Sequence, residues 1–256
     1  MTGYAALASV YDDFTANVGY EALARRVDAV FKENKVKGIV LDAGCGTGTL
    51  ALLLSKCGYD MIGVDASEEM LAAARTKIGG APVTLLCQRL EELDLFGTVR
   101  GIVCTLDTLN HIPSARALDE IFRRFGLFCE PGGILVFDAN TPYKHEKVLA
   151  DNAFVFERPG GLCVWRNEYQ AAKHRVRMTA DVFSGAGSGP YERRTDCFYE
   201  YDREPALFGR LLEKHGFRLL SMLDGDTSAP PTPQTQRIFV TARRNDWEPP
   251  AADEGK

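Results

Sequence analysis

The chain has 256 residues, 45% hydrophobic and 25% charged, which places it in the ordinary globular range with enough length to bury a sizeable core as one large domain, or one with a small appendage. A formal charge of −5, with acids and bases mixed along the chain, supplies no basic stripe to neutralise phosphates, so nucleic acid is not favoured as a partner. No apolar run approaches the roughly eighteen residues that span a bilayer. Residues 1–14 carry neither a basic region nor an uninterrupted apolar one, and the seven cysteines are an odd set without C-x-x-C spacing. These features predict a cytoplasmic chain with core thiols, no disulfide frame and no metal centre.

From 21 to 34, Leu23, Val27, Val30 and Phe31 recur at helical spacing and predict a leading amphipathic helix. Residues 38–42 form a short apolar run ending in an acid, followed by a glycine loop and a helix over 49–56 that stops at Gly58. The run 61–65 repeats the strand, and Ser67 is placed to cap a helix through Lys77 with Glu68 and Glu69 in its first turn. Further strands are predicted at 83–87, 101–106 and 133–138, with a helix over 114–128 between the last two and a turn at 131–133. Strands that alternate with helices and are nearly continuous in apolar residues make a mostly parallel sheet covered on both faces, a doubly wound, Rossmann-like α/β fold.

Past Pro142 the period changes. Residues 144–204 alternate polar with apolar or aromatic positions around turn signals at 159–161 and 185–190, which reads as a small antiparallel β insertion. A helix at 206–215, stopped by Gly216, and strands at 217–223 and 237–243 bring the sheet to seven strands, with a proline-bearing surface loop at 227–236. The expected division is a cofactor-binding domain of 1–142 and 206–244, an inserted subdomain of 143–205 that serves as substrate lid or homodimer surface, and a disordered tail at 245–256.

The chemistry centres on Leu41-Asp42-Ala43-Gly44-Cys45-Gly46-Thr47-Gly48-Thr49, where the first strand turns into the first βα helix. Glycines there let bare backbone approach a ligand, and the helix N-terminus adds free N–H groups. A dinucleotide needs G-x-G-x-x-G for its pyrophosphate. The spacing here is G-x-G-x-G, and Leu50-Ala51 stand where the third glycine of an NAD-dependent oxidoreductase belongs. Asp42, directly before the loop, would repel a pyrophosphate and attract an ammonium, which favours S-adenosylmethionine. Asp65, nineteen residues beyond Gly46, ends the second strand, where a carboxylate accepts from both ribose hydroxyls.

LDAGCGTG, GVDASEEML and CTLDTLNHI resemble the glycine loop, the ribose-acid strand end and the segment after strand four of class I S-adenosylmethionine-dependent methyltransferases. More narrowly, Tyr4, Ala8, Tyr11 and Asp12 match the Y-x-x-x-A-x-x-Y-D start of small bacterial members with a β insertion after strand five. The resemblance spans roughly 4–244. It implies that backbone at Gly44, Cys45 and Gly46 faces the methionine part of S-adenosyl-L-methionine, that Asp65 holds the ribose, that Ala66 and Met70 border the adenine and that the Leu90 N–H meets its edge. It also implies that Leu106 and Asp107 line the sulfonium end and that Tyr11 or Tyr20 closes over the cofactor. Relatives read C-Q-D where this chain has Cys87-Gln88-Arg89. Arg89 has only donors and cannot replace an acceptor for the adenine amino group, which leaves Gln88, Glu91 or the backbone to take over, or a weaker hold on the adenine. At 197–203 the chain also lacks the His and Arg that relatives place in register.

Methyl transfer from a sulfonium needs a positioned nucleophile and a dry site, with a base only if the nucleophile arrives protonated. His111 and Asn110, after the fourth strand, are the catalytic candidates, His111 as general base or as a loop-capping group, Asn110 and Asp107 as positioners. Trp165, Tyr169, Phe183, Tyr191, Phe198, Tyr199 and Tyr201 crowd the insertion as an aromatic lid or as plain core, and Lys144, His145, Lys147, Arg193 and Arg194 offer charge to an anionic substrate. The sequence therefore predicts a methyltransferase acting on a small-molecule acceptor, with a non-catalytic cofactor-binding module and an NAD-dependent oxidoreductase as rival readings.

Overall fold

The computed structural model describes residues 11–14, 18–158, 160–185 and 189–245. The start of the motif at Tyr4 and the tail at 246–256 lie outside them. A short helix α1 (Tyr11–Phe14) and α2 (Tyr20–Glu33) lead into β1 (Ile39–Ala43), α3 (Thr49–Lys56), β2 (Asp60–Asp65), α4 (Glu68–Ile78), β3 (Val83–Cys87), β4 (Val99–Cys104), α5 (Ala115–Phe128) and β5 (Cys129–Asn140). The insertion follows as β6 (Ala153–Arg158), β7 (Gly161–Gln170), β8 (Arg175–Ser184) and β9 (Glu192–Tyr201), and α6 (Pro205–Lys214), β10 (Phe217–Asp224) and β11 (Arg237–Arg244) close the chain.

The main sheet has the order β10-β11-β5-β4-β1-β2-β3. Strands β1 to β5 are mutually parallel, while β11 lies antiparallel between β5 and β10. The helices form because their apolar residues return every three or four positions and their first turns are capped. On α5, Leu118, Ile121, Phe122 and Phe125 are buried, and the Ser114 hydroxyl accepts from the Ala117 N–H at 3.1 Å. On α4, Ser67 caps Met70 in the same way at 3.2 Å. One face of the sheet carries Phe122, Phe125, Phe137, Phe208 and Phe217 under α5 and α6. The other carries Val27, Phe31, Leu50 and Leu54 under α2 and α3. Each such side chain contributes about 1.5–3 kcal/mol by burial. Cys45, Cys104, Cys129 and Cys163 are buried, Cys104 and Cys129 within the first of these clusters. No helix among the described residues is long and apolar enough to cross a membrane.

Three local expectations are corrected. Residues 131–133 do not precede β5 but lie within it, because pairing slips from Val99↔Cys129 to Gly101↔Ile134 and Pro131-Gly132-Gly133 bulge out of the ladder. The strand expected to reach Leu106 stops at Cys104, since Leu106 and Asp107 take φ of +56° and +59°, outside any strand conformation. The insertion begins with a π-helical turn, Lys144–Leu149, in which only two aliphatic residues sit in six and no helical period can show.

The insertion folds as a four-stranded antiparallel sheet, β6-β7-β8-β9. Its register places Tyr169, Val176 and Glu200 in one row and Asn167, Met178 and Phe198 in the next. Alternation then turns Trp165, Met178, Phe198 and Glu200 to the same face, which buries its own core around Cys163, Val176, Met178, Ala180 and Val182.

Candidate active site

The loop after β1 folds back on β2, with the N–H groups of Gly44 and Cys45 donating to the Val64 carbonyl at 2.8 and 2.9 Å. At Gly44, φ is +83° and a Cβ would sit 2.4 Å from the Thr108 methyl, so only glycine fits. At Gly46, φ is +53° and a Cβ would meet no atom within 4 Å, which leaves this side of the backbone open. The Gly46 N–H donates to Asp65 Oδ2 and the Ser67 N–H to Asp65 Oδ1, both at 2.8 Å, so one carboxylate braces both the loop and the start of α4. Asp42 is buried, and its Oδ2 has no hydrogen-bond partner among the described residues. Burial and then the nearby charge of Asp65 push its carboxyl up to about 7.

Ala66 is exposed and Met70 buried at the mouth of this loop. Gln88 exchanges two hydrogen bonds with the backbone of Asp94, at 3.0 and 3.1 Å, and so ties down the next turn. Arg89 points to solvent and ion-pairs with Glu91, while Leu90 is buried at the start of a 3-10 turn. Above the loop, Asp12 of α1 accepts from Thr47 at 2.7 Å and pairs with Lys77 at 2.5 Å, which holds Tyr11 over the site. Burial, then the neighbouring Tyr20, Asp107 and Asp65, raise the Tyr11 phenol well above its ordinary value, and its hydroxyl and that of Tyr20 are hydrogen-bonded to each other.

The turn after β4 is held by the end of β5. Asp138 accepts the Leu106 N–H on Oδ2 and the Asp107 N–H on Oδ1, each at 2.9 Å, and also takes Arg237 Nη1 at 2.9 Å. Arg237 Nη2 ion-pairs with Asp107. Two consecutive non-glycine residues in the left-handed region cost about 1–2 kcal/mol each, and this carboxylate offsets that strain. Burial works against the Asp107 charge, but Arg237, Lys144 and His111 hold its carboxyl below the usual range. Asn110, fully buried, binds the Asn140 N–H and carbonyl and the Tyr201 carbonyl. Its amide is committed to backbone, so it acts on the loop and does not line the cavity. His111 Nδ1 donates to the Tyr199 carbonyl at 2.9 Å, which makes Nε2 the lone-pair nitrogen of the neutral ring, and Phe198 packs edge-on against it.

The insertion closes the far side. Glu200, 3% exposed, accepts from Asn140 Nδ2 at 2.7 Å and from His145 Nε2 at 2.8 Å, while His145 Nδ1 donates to Asp202 at 2.5 Å. Burial opposes charge on His145, but its hydrogen bonds to Asp202 and Glu200 outweigh that and push the imidazole up to about 9. Together these groups surround a cavity of about 170 Å³ lined by Tyr11, Leu106, Asp107, His111, Trp165, Phe198, Glu200 and Arg237. The ligand atoms of Asp107, His111 and Glu200 lie within 4.8 Å of one another, a spacing that a cation could use, although Arg237 already occupies one side of Asp107.

The structure thus brings Asp42, Gly44, Gly46, Asp65, Leu106, Asp107, His111 and Tyr11 to one edge of the sheet, and leaves Arg89 and Gln88 engaged with their own neighbours. Sequence reasoning missed Asp138, Arg237, Glu200 and Asp12. Asp138 ends an apolar run as Asp42 and Asp65 do, and that signal was present. Glu200 shares the parity of Phe198, which marks an acid on the aromatic face.

Residues 40–133 match the family described as the methyltransferase domain. Over 245 residues, 94% of this chain and 97% of the relative, the sequence is 28% identical to YqeM of Bacillus subtilis (strain 168), a methyltransferase by name. The fold is similar to that of an S-adenosylmethionine-dependent methyltransferase from Clostridium acetobutylicum, at 26% identity and TM-score 0.84, covering 94% of this chain and 99% of that one. It is also shared with CalS10 of Micromonospora echinaspora, an amino pentose methyltransferase solved with its S-adenosylmethionine bound, at 19% identity and TM-score 0.74, covering 92% and 97%. The glycine loop, the acids ending β1 and β2, the 3-2-1-4-5-11-10 sheet with its antiparallel β11 and these likenesses agree on a methyltransferase domain of the class I, S-adenosylmethionine-dependent kind.

Proposed function

We propose that the chain methylates a small-molecule acceptor held in the cavity between the sheet edge and the insertion. The observation that carries this reading is the cavity itself, which joins Asp107 and His111 after β4 to Trp165, Phe198 and Glu200 of the insertion. The residues present suit the cofactor. An orphaned buried oxygen on Asp42 suits an ammonium, the open backbone at Gly46 suits close approach, and Asp65 offers a carboxylate to ribose hydroxyls. Gly44 and Cys45 belong to the same cradle, Ala66, Met70 and Leu90 border the adenine, Leu106 and Asp107 face the methyl end, and Tyr11 with Tyr20 closes over it. When bound, S-adenosylmethionine supplies a methyl group on an already activated leaving group.

The protein's own share is placement and exclusion of water. His111, oriented through Nδ1 by Tyr199, takes the acceptor's proton at Nε2. Asn110 fixes the turn that carries it. The insertion forms the acceptor-binding subdomain.

Calorimetry against S-adenosylmethionine, S-adenosylhomocysteine and NAD, repeated with Asp65→Ala, tests the cofactor half. Micromolar binding of the first two, weakened more than about tenfold in the variant, is expected. Binding of NAD alone, or of none, overturns it. Cofactor binding without turnover of any small acceptor would instead make the chain a binding module.

A further inference from the structure

The cavity presents two carboxylates, Asp107 and Glu200, against one guanidinium, Arg237, with His111 beside them. Asp107, Asp138, Glu200 and Asp202 stand against Arg237, His145 and Lys144, all within one hydrogen-bonded and ion-paired cluster. Asp138 accepts on both oxygens and His145 donates from both ring nitrogens to carboxylates, which are the bonds of a carboxylate and an imidazolium. The Asp107–Arg237–Asp138 triad and the Glu200–His145–Asp202 triad each carry one excess negative charge, which Lys144 and, beside Asp202, Arg203 offset from outside the cavity wall. A positively charged ligand fits a cavity wall in which carboxylates outnumber fixed cations.

From this we infer that the acceptor is a small amine, bound as its ammonium between Glu200 and Asp107 with Trp165, Phe198 and Tyr11 as walls. The inference rests on the small-molecule reading above and narrows it. Two cavity-facing carboxylates favour a cation, and the aromatic faces favour an organic ammonium. Arg237, already seated against Asp107, disfavours a divalent ion in the same place. Glu200 is the acceptor-binding carboxylate, and His145 and Asn140 are positioning residues that fix which way it points. For transfer, the ammonium loses one proton to His111 Nε2. The nitrogen lone pair then forms the N–C bond to the methyl group while the S–C bond breaks, its electron pair remaining on sulfur as the thioether. The product is again an ammonium, now N-methylated, facing the same carboxylates.

The test is calorimetry on the full chain saturated with S-adenosylhomocysteine, using matched sets of benzylamine, benzyl alcohol and benzoate, and of glucosamine, glucose and gluconate. In at least one set the amine should bind tenfold or more tightly than both isosteres, and Glu200→Gln, which keeps an oxygen for Asn140 and His145, should erase that preference. If alcohols or carboxylates bind as well as the amines, or if the preference survives in a folded Glu200→Gln, the amine inference is overturned while the small-molecule reading stands. If nothing in either set binds to the S-adenosylhomocysteine complex, both fall. Should Mg²⁺ or Mn²⁺ bind the complex and displace the amine, the cation of the site is a metal and the inference fails. The wild-type comparison decides the matter even if the variant does not fold.

Discussion

Asn110 and Asn140 grip each other reciprocally: Asn110 Oδ1 accepts the Asn140 N–H at 2.9 Å and its Nδ2 donates to the Asn140 carbonyl at 3.0 Å. The pair locks the turn after β4 to the end of β5 inside a fully buried pocket, and a third bond to the Tyr201 carbonyl adds β9. Replacing Asn110 by Ala strands a buried N–H, and the expected loss is about 2–4 kcal/mol. Urea unfolding of Asn110→Ala against the parent measures it, and a loss under about 0.5 kcal/mol would mean that the clamp is not structural.

On the proposed reading, Asp42 links pH to cofactor affinity. Its folded value of about 7 lies above the roughly 3.9 of an unfolded aspartate. Through this group the stabilising contribution is full below about pH 4, is lost as pH rises from about 4 through about 7, and does not change further above that. An incoming ammonium wants the carboxylate, so affinity for S-adenosylhomocysteine should rise several-fold from pH 6 to 8. Asp42→Asn should flatten that slope, bind weakly at pH 8 and melt at a higher temperature without ligand.

His145 works in the opposite direction. Its imidazole is raised to about 9 from 6.5, so the stability it contributes is full below about pH 6.5 and is lost as pH climbs through 9. The gap corresponds to an order of 3 kcal/mol. Unfolding measured at pH 6.5 and 9.5 should show that fall in the parent and a much smaller one in His145→Gln.

Asp138→Ala removes the acceptor for two backbone N–H groups and one arm of the Arg237 fork. The turn carrying Leu106 and Asp107 should leave its left-handed conformation, with destabilisation of about 3 kcal/mol or more. A rise in acceptor KM larger than the change in cofactor affinity at Asp42 and Asp65 is expected. Equal effects on both would place Asp138 in general stability alone.

The sheet, its seven strands and the acids at the ends of β1 and β2 were legible because each strand is an apolar run closed by a polar residue, and because Ser67 caps α4 where its hydroxyl predicts. The far wall was not. Glu200 reaches the cavity only through the way the insertion sheet turns its face, and Arg237 only because β11 runs antiparallel and starts at the edge where its neighbours end. The shape of the turn at Leu106 and Asp107 depends on a carboxylate 31 and 32 positions further along, and no local pattern encodes it.

The placement of β11 also sets an order of assembly. It is the last strand in the sequence yet lies inside the sheet, between β5 and β10, and its first residue bonds Asp138 across 99 positions. During synthesis the glycine loop and both strand-end acids leave the ribosome long before Arg237 does. Until the β10–β11 hairpin docks, β5 presents an open edge to other strands, and Asp107 and Asp138 face each other without their guanidinium. A nascent chain therefore holds the glycine loop and the acids of β1 and β2 early, yet its cavity gains Arg237 only once β11 has docked.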